Sequence, residues 1–226
     1  MKQRFVEQQV PTKDMVAYYK LWYGLTTTGE VFDYSLNGNL GTVTGAVPAY
    51  PGFLFDGVND EISCGSDSTI DNIFDITGAI SIWLNSTGTG ENNEGMAASK
   101  ASWSLQLNAA QNSMKFTQVF TGDNGIWSFD VTGNVWEHIL LVYQADKAVD
   151  VPTVYVDGVA VAVTTDQLPG SDTRTSDGDD TLIIGDNKDS NRSWDGKIGD
   201  VILFNTDQLV AAAKSIFELT RGRYDI

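Results

Sequence analysis

The segment Trp136 to Val163, WEHILLVYQADKAVDVPTVYVDGVAVAV, decides the fold. Ile139 to Tyr143 is an unbroken, partly β-branched apolar run, the pattern of a strand covered on both faces. Thr153 to Val156 and Val159 to Val163 flank Asp157-Gly158. Asp-Gly between alternating apolar residues predicts a hairpin, because a type I′ turn puts both central residues at positive φ.

The same signals continue on both sides. Met15 to Leu25 reads as a first strand ending at Trp22 and Tyr23, and 24–51 as loops around short strands. Phe53 to Asp56 and Glu61 to Cys64 are strands around a Gly57-Val58-Asn59 turn, and 71–76 is a short turn or a helical turn. Ala79 to Asn85 alternates, with Trp83 expected in the core. After a Gly- and Asn-rich loop at 88–95, Ala97 to Lys100, Ser102 to Leu107, Met114 to Phe120 and Gly125 to Phe129 predict an antiparallel meander. Two polar loops, 171–180 and 186–195, enclose a short strand at Thr181 to Ile184. Loops on a rigid sandwich are where binding residues usually lie.

One helix is expected, over Thr206 to Arg221. Asp207 or Thr206 caps it, Leu209, Ala212, Ala213 and Ile216 form its apolar face, and Gly222 ends it. Its role is to cover the sandwich, and Arg223 to Ile226 is then a tail. The polar segment 1–14 reads as an N-terminal arm before a domain over 15–226, with Phe5 and Val6 as its adjacent apolar anchors.

With 226 residues, 42% hydrophobic and 11% aromatic, the chain can bury one large core. A net charge of −16, from 30 acidic against 14 basic residues, argues against a nucleic acid partner. No apolar run reaches the ~20 residues of a membrane span. Cys64, the single cysteine, forms no intrachain disulfide and reads as a small buried apolar residue. MKQRFVEQQVPTKD lacks an apolar signal-peptide core, so the expected location is a cytosolic assembly or a virion surface.

Seven segments, in order, carry a resemblance. They are Ala17 to Leu21; the Asp33-to-Thr42 loop DYSLNGNLGT; Phe55 to Ile62, FDGVNDEI; Trp136-Glu137-His138; Val154 to Val159, VYVDGV; Leu182 to Gly185, LIIG; and Gly196 to Asn205, GKIGDVILFN. Together they resemble the laminin G-like and pentraxin-like domains of the concanavalin A-like lectin superfamily. The resemblance implies an all-β, two-sheet antiparallel jelly-roll sandwich with one short C-terminal helix. It also implies a binding module, often with calcium.

The chemistry agrees with a non-catalytic role. His138 is the only histidine and belongs to the W-x-H strand opening, so it reads as structural. There is no G-x-S-x-G elbow, P-loop or two-histidine zinc motif. Glycoside hydrolases of this fold carry clustered acids on one strand, E-x-D-x-x-E or E-x-D-x-E, and no such pattern is present. Hydrolysis therefore stands behind a free carbohydrate-binding lectin and behind a virus particle component, such as a capsid decoration, fibre or tail protein. The expected partners are glycans or neighbouring subunits of an assembly. Trp194, with Arg192 and Asp195, is the candidate ligand platform. A structural calcium ion is expected on Asp33, Asn39 or the Gly38 carbonyl, and Asp200, the last brought near by the resemblance. The alternative is that Asp33 and Asn37 only form turns.

Overall fold

The computed structural model describes residues 10–144 and 150–226. Its strands are, in order, β1 (Met15–Lys20), β2 (Glu30–Val31), β3 (Gly41–Thr44), β4 (Val47–Ala49), β5 (Gly52–Asp56) and β6 (Glu61–Ser63). There follow β7 (Thr77–Ser86), β8 (Met96–Lys100), β9 (Trp103–Leu107), β10 (Ser113–Gln118), β11 (Gly125–Asp130) and β12 (Glu137–Gln144). The last are β13 (Thr153–Val156), β14 (Val159–Val161), β15 (Thr164–Gln167), β16 (Ile183–Ile184) and β17 (Asp195–Phe204), before the helix α1 (Ala213–Thr220).

They form two antiparallel sheets. The first runs β14-β13-β12-β7-β17-β5-β4, with β1 also on β17. The second runs β15-β11-β10-β9-β8-β16-β6-β3-β2. β5 and β6 face each other across a turn but belong to different sheets, so that turn is a corner of the sandwich. The expected meander is present as β8 to β11.

The two sheets close on one apolar layer. Ile80, Ile82 and Leu84 of β7, Ile139, Leu141 and Tyr143 of β12, and Val201 and Leu203 of β17 meet Trp103, Leu105, Phe116 and Trp127 from the second sheet. The alternate residues of the same three strands are buried as well. Ala79, Leu140, Val142, Ile202 and Phe204 lie under Leu209, Ala213 and Ile216, while Trp83 lies under Phe217 and Tyr224. This is why Ile139 to Tyr143 reads as an unbroken apolar run: both faces of β12 exclude water. In the hairpin, Asp157 and Gly158 have φ of 50° and 74°, as the type I′ turn demands.

The C-terminal segment departs from the sequence reading. The α-helix spans only Ala213–Thr220, between a 3-10 turn at Val210–Ala212 and another at Arg221–Arg223. Thr206 caps no helix; its hydroxyl accepts from the Gln208 N–H at 3.2 Å in a local turn. The last residues are no loose tail. Tyr224 is buried, stacks on Trp83 at 4.1 Å between centroids, and its hydroxyl accepts from the Asp200 N–H at 2.7 Å. Gly199 makes room for it, since a Cβ there would lie 2.3 Å from that hydroxyl oxygen.

His138 is structural. It is fully buried beside Trp83 and Phe217, with Nε2 hydrogen-bonded to the Ser81 hydroxyl at 2.8 Å. Burial pulls its pKa down from 6.5 to about 3. At this site the folded protein therefore binds fewer protons than the unfolded chain between those values, so the contribution of His138 to stability is complete above pH 6.5 and is lost as pH falls towards 3. Denaturant titrations of His138→Gln at several pH values are expected to show a shallower acid decline than wild type. Parallel acid limbs would contradict this account.

Candidate functional site

At the end of β1 the chain makes a 3-10 turn, Leu21–Tyr23, which draws Leu21 into the core and turns Tyr23 outward. Gly24 continues at φ 88°, a region open mainly to glycine. The chain returns through β2 to Asp33, which bridges Tyr19. Alternation about the buried Asp33 places Phe32 and Tyr34 on the outer side. The rings then form a chain of edge-to-face contacts: Trp22–Tyr23 at 5.7 Å, Tyr23–Tyr34 at 5.9 Å and Phe32–Tyr34 at 5.0 Å. They enclose an open pocket of about 310 Å³ lined by Tyr23, Gly24, Leu25, Thr26, Phe32 and Tyr34. Tyr23 is 69% exposed, Leu25 44% and Phe32 42%. Contiguous aromatic surface left in water marks an interaction site more than a packing need.

Charges surround the rings. Lys20 Nζ stands 4.2 Å from the Tyr34 centroid and 5.0 Å from that of Tyr18; burial pulls its pKa down. The Arg223 guanidinium lies 4.6 Å from the Trp22 centroid. Both cations are within cation–π reach. Beneath them Asp200 accepts from Trp22 Nε1 at 2.8 Å, from Arg223 at 3.0 Å and from the Tyr224 hydroxyl at 3.2 Å. Burial raises the Asp200 pKa, and Arg223 works against that rise. Burial, then the neighbouring Tyr23, raises that of Tyr34. Asp200 thus fixes the turn after β1 to Arg223 and Tyr224.

The calcium set is not brought together. Asp200 pairs with Lys20 on one edge of β1, while Asp33 bridges Tyr19 on the other, two strand spacings or about 10 Å away. The Asp33 carboxylate is already satisfied by the N–H groups of Tyr18, Ser35 and Asn39 and by the Ser35 hydroxyl, at 2.8–3.1 Å. The Asn39 amide donates to Thr69 at 3.0 Å, and Gly38 turns at φ 88°. These are turn contacts, and the one oxygen of the set left buried without a partner among the described residues, Asn39 Oδ1, does not make the shell of six to eight oxygens that calcium takes. Among the described residues no group of three or more His, Cys, Asp or Glu is placed to hold a metal.

Nor does the structure make Trp194 a platform. It is 1% exposed and part of the core between the sheets. Arg192 pairs with Glu94 at 3.3 Å, and Asp195 accepts from the Thr87 hydroxyl at 3.0 Å. Arg192 and Asp195 tie the 186–195 segment to the 87–95 loop. A tryptophan among polar residues suggested exposure, but here the polar neighbours hold the loop while the ring turns inward. Trp103 and Trp127 are buried too, whereas Tyr50 is exposed.

The outer face of the second sheet is free of the helix and carries a second pocket of about 150 Å³ beside Ser104, Thr117 and Lys188. β8 to β11, the middle of that face, hold a single carboxylate, Asp130.

Residues 56–211 match a laminin G family model, described as the concanavalin A-like lectin/glucanases superfamily. The chain belongs to that superfamily. Solved structures agree on the fold. The binding domain of botulinum neurotoxin serotype G superposes with a TM-score of 0.64 at 15% identity, over 91% of this chain and 51% of that one. That of Paraclostridial Mosquitocidal Protein 1 gives 0.62 at 15%, over 91% and 52%. The binding domain of botulinum neurotoxin DC, solved with rat synaptotagmin II, gives 0.60 at 13%, over 92% and 52%. The chain spans about half the length of these structures. No curated protein matches the sequence. Among the described residues no helix is long and apolar enough to cross a membrane.

In this lectin-fold domain Asp33 acts through hydrogen bonds. Asp33→Ala is expected to cost about 3 kcal/mol, because it orphans buried N–H donors. The loss should be equal with excess chelator and with millimolar calcium. A deficit confined to calcium-loaded protein would contradict this reading.

Proposed function

We propose that the chain is a non-catalytic binding module that takes a glycan at the pocket of Tyr23, Leu25, Phe32 and Tyr34. The observation that carries this is the exposed ring chain around about 310 Å³, in a fold shared with binding domains. A sugar ring offers an apolar C–H face to aromatic side chains and hydroxyls at its edge. The Tyr23, Tyr34 and Thr26 hydroxyls of the lining supply polar partners, and Thr26 is linked onward through Thr28 to Glu30 at 2.7–2.9 Å.

A second reading uses the same surface. In a virus particle component, the rings would be covered by a neighbouring subunit instead of a sugar. The apolar lining from Leu25 and Phe32 favours this alternative.

A glycan array followed by calorimetry separates the readings. Binding of a glycan, weakened about tenfold or more by Phe32→Ala or Tyr23→Ala at unchanged melting temperature, is the expected result. No glycan retained, with co-sedimentation on particles that Phe32→Ala abolishes, would replace the glycan reading with the assembly one. Release of reducing ends from a polysaccharide would overturn both.

A further inference from the structure

Away from the pocket, a lysine is enclosed by two carboxylates. The Lys100 side chain, at the end of β8, is 0% exposed and Asp177 is 0% exposed, while Asp71 is 18% exposed. Lys100 Nζ contacts Asp71 Oδ1 and lies 3.0 Å from Asp177 Oδ1. The two acids are held differently. Asp177 also accepts from the Asn72 N–H and the Ser102 hydroxyl, each at 2.6 Å. Lys100 is the one hydrogen-bond donor to Asp71 among the described residues. Phe74 and Trp103, in edge-to-face contact at 5.1 Å, are buried close by in the chain.

We propose that Lys100 and Asp71 condense into an intramolecular isopeptide bond, with Asp177 as the proton carrier. An amine attacks a carboxyl carbon when the two are held in contact, solvent is excluded, and a third group moves the protons. Lys100 gives one ammonium proton to Asp177. The freed nitrogen lone pair forms a bond to Asp71 Cγ. Asp177 returns its proton to one Asp71 oxygen. A second proton from the nitrogen follows, and the C–O bond breaks. Two of the three ammonium protons leave with that oxygen as water, and the amide keeps the third. Charge balances, since one cation and one anion become a neutral amide, and no oxidant or activating group is needed. The unequal hydrogen bonding assigns the roles: Asp177 is fixed by donors on both oxygens, and Asp71 is bound, among the described residues, only by its attacker. The bond would fasten the turn before β7 to the end of β8.

The test is peptide mapping of the wild-type protein by mass spectrometry. Chymotrypsin cuts between the two residues, at Phe74 and Trp83, so the expected product is a branched peptide joining Asp71 to Lys100, lighter than its two parts by one water. Trypsin should also fail to cut after Lys100. Intact mass alone is not enough, because Asp177-Gly178 can lose the same water by cyclising to a succinimide. Lys100→Arg keeps a cation but cannot condense, so it should remove the branch. Folded Asp177→Asn should lose it too. Only linear Asp71 and Lys100 peptides from wild type would overturn the proposal and leave a buried ion triad. A branch that persists in folded Asp177→Asn would overturn the role of Asp177.

Discussion

β7, β12 and β17 carry apolar side chains on both faces, and water has to be kept off both. The second sheet closes one face; Leu209, α1 and Tyr224 close the other. Each fully buried Leu, Ile or Phe contributes roughly 1.5–3 kcal/mol, so this doubly covered layer dominates the stability. It explains the C-terminal segment, where 3-10 turns on either side of a short helix bring Leu209 and Tyr224 onto the sheet. It also explains His138. A histidine in that layer stays neutral because a charge there would be desolvated.

The cover is uneven, and the unevenness directs function. The helix takes one outer face and leaves the other open. At the rim near β1, the chain leaves the core through Gly24 and returns through β2, carrying rings that no other described element covers. Asp200 holds this rim from beneath by joining Trp22, Arg223 and Tyr224. The pocket walls therefore stand in solvent beside a fixed cluster that Tyr23 touches through Trp22, an arrangement suited to binding with little reorganisation.

The sequence made the strands legible because alternation and the Asp157-Gly158 turn are local signals. The apolar runs of β7 and β12 and the resemblance to lectin-like domains sufficed for the sandwich. What escaped depended on distant partners. Asp177 reads as part of a solvated loop, yet it is buried against Lys100, 77 residues away. Tyr224 reads as tail because its partners, Trp83 and Asp200, lie far back in the chain. Asp33 and Asp200 look like two halves of a cation site until β1 is seen to run between them. Trp194 misleads through its polar neighbours. The pocket left a faint trace, since Trp22, Tyr23, Phe32 and Tyr34 are close in sequence, but spacing alone does not say which rings stay outside.

Native-state hydrogen exchange measures the central claim, that a doubly covered layer holds the molecule while the pocket is carried outside it. The amides of Ile80 to Leu84, Ile139 to Val142 and Val201 to Phe204 should exchange slowest, and only through global unfolding. Those of Gly24 to Phe32 should exchange much faster, through local opening. Protection across Gly24 to Phe32 equal to that of β7 and β12 would contradict the account, and would make the ring pocket part of the structural core.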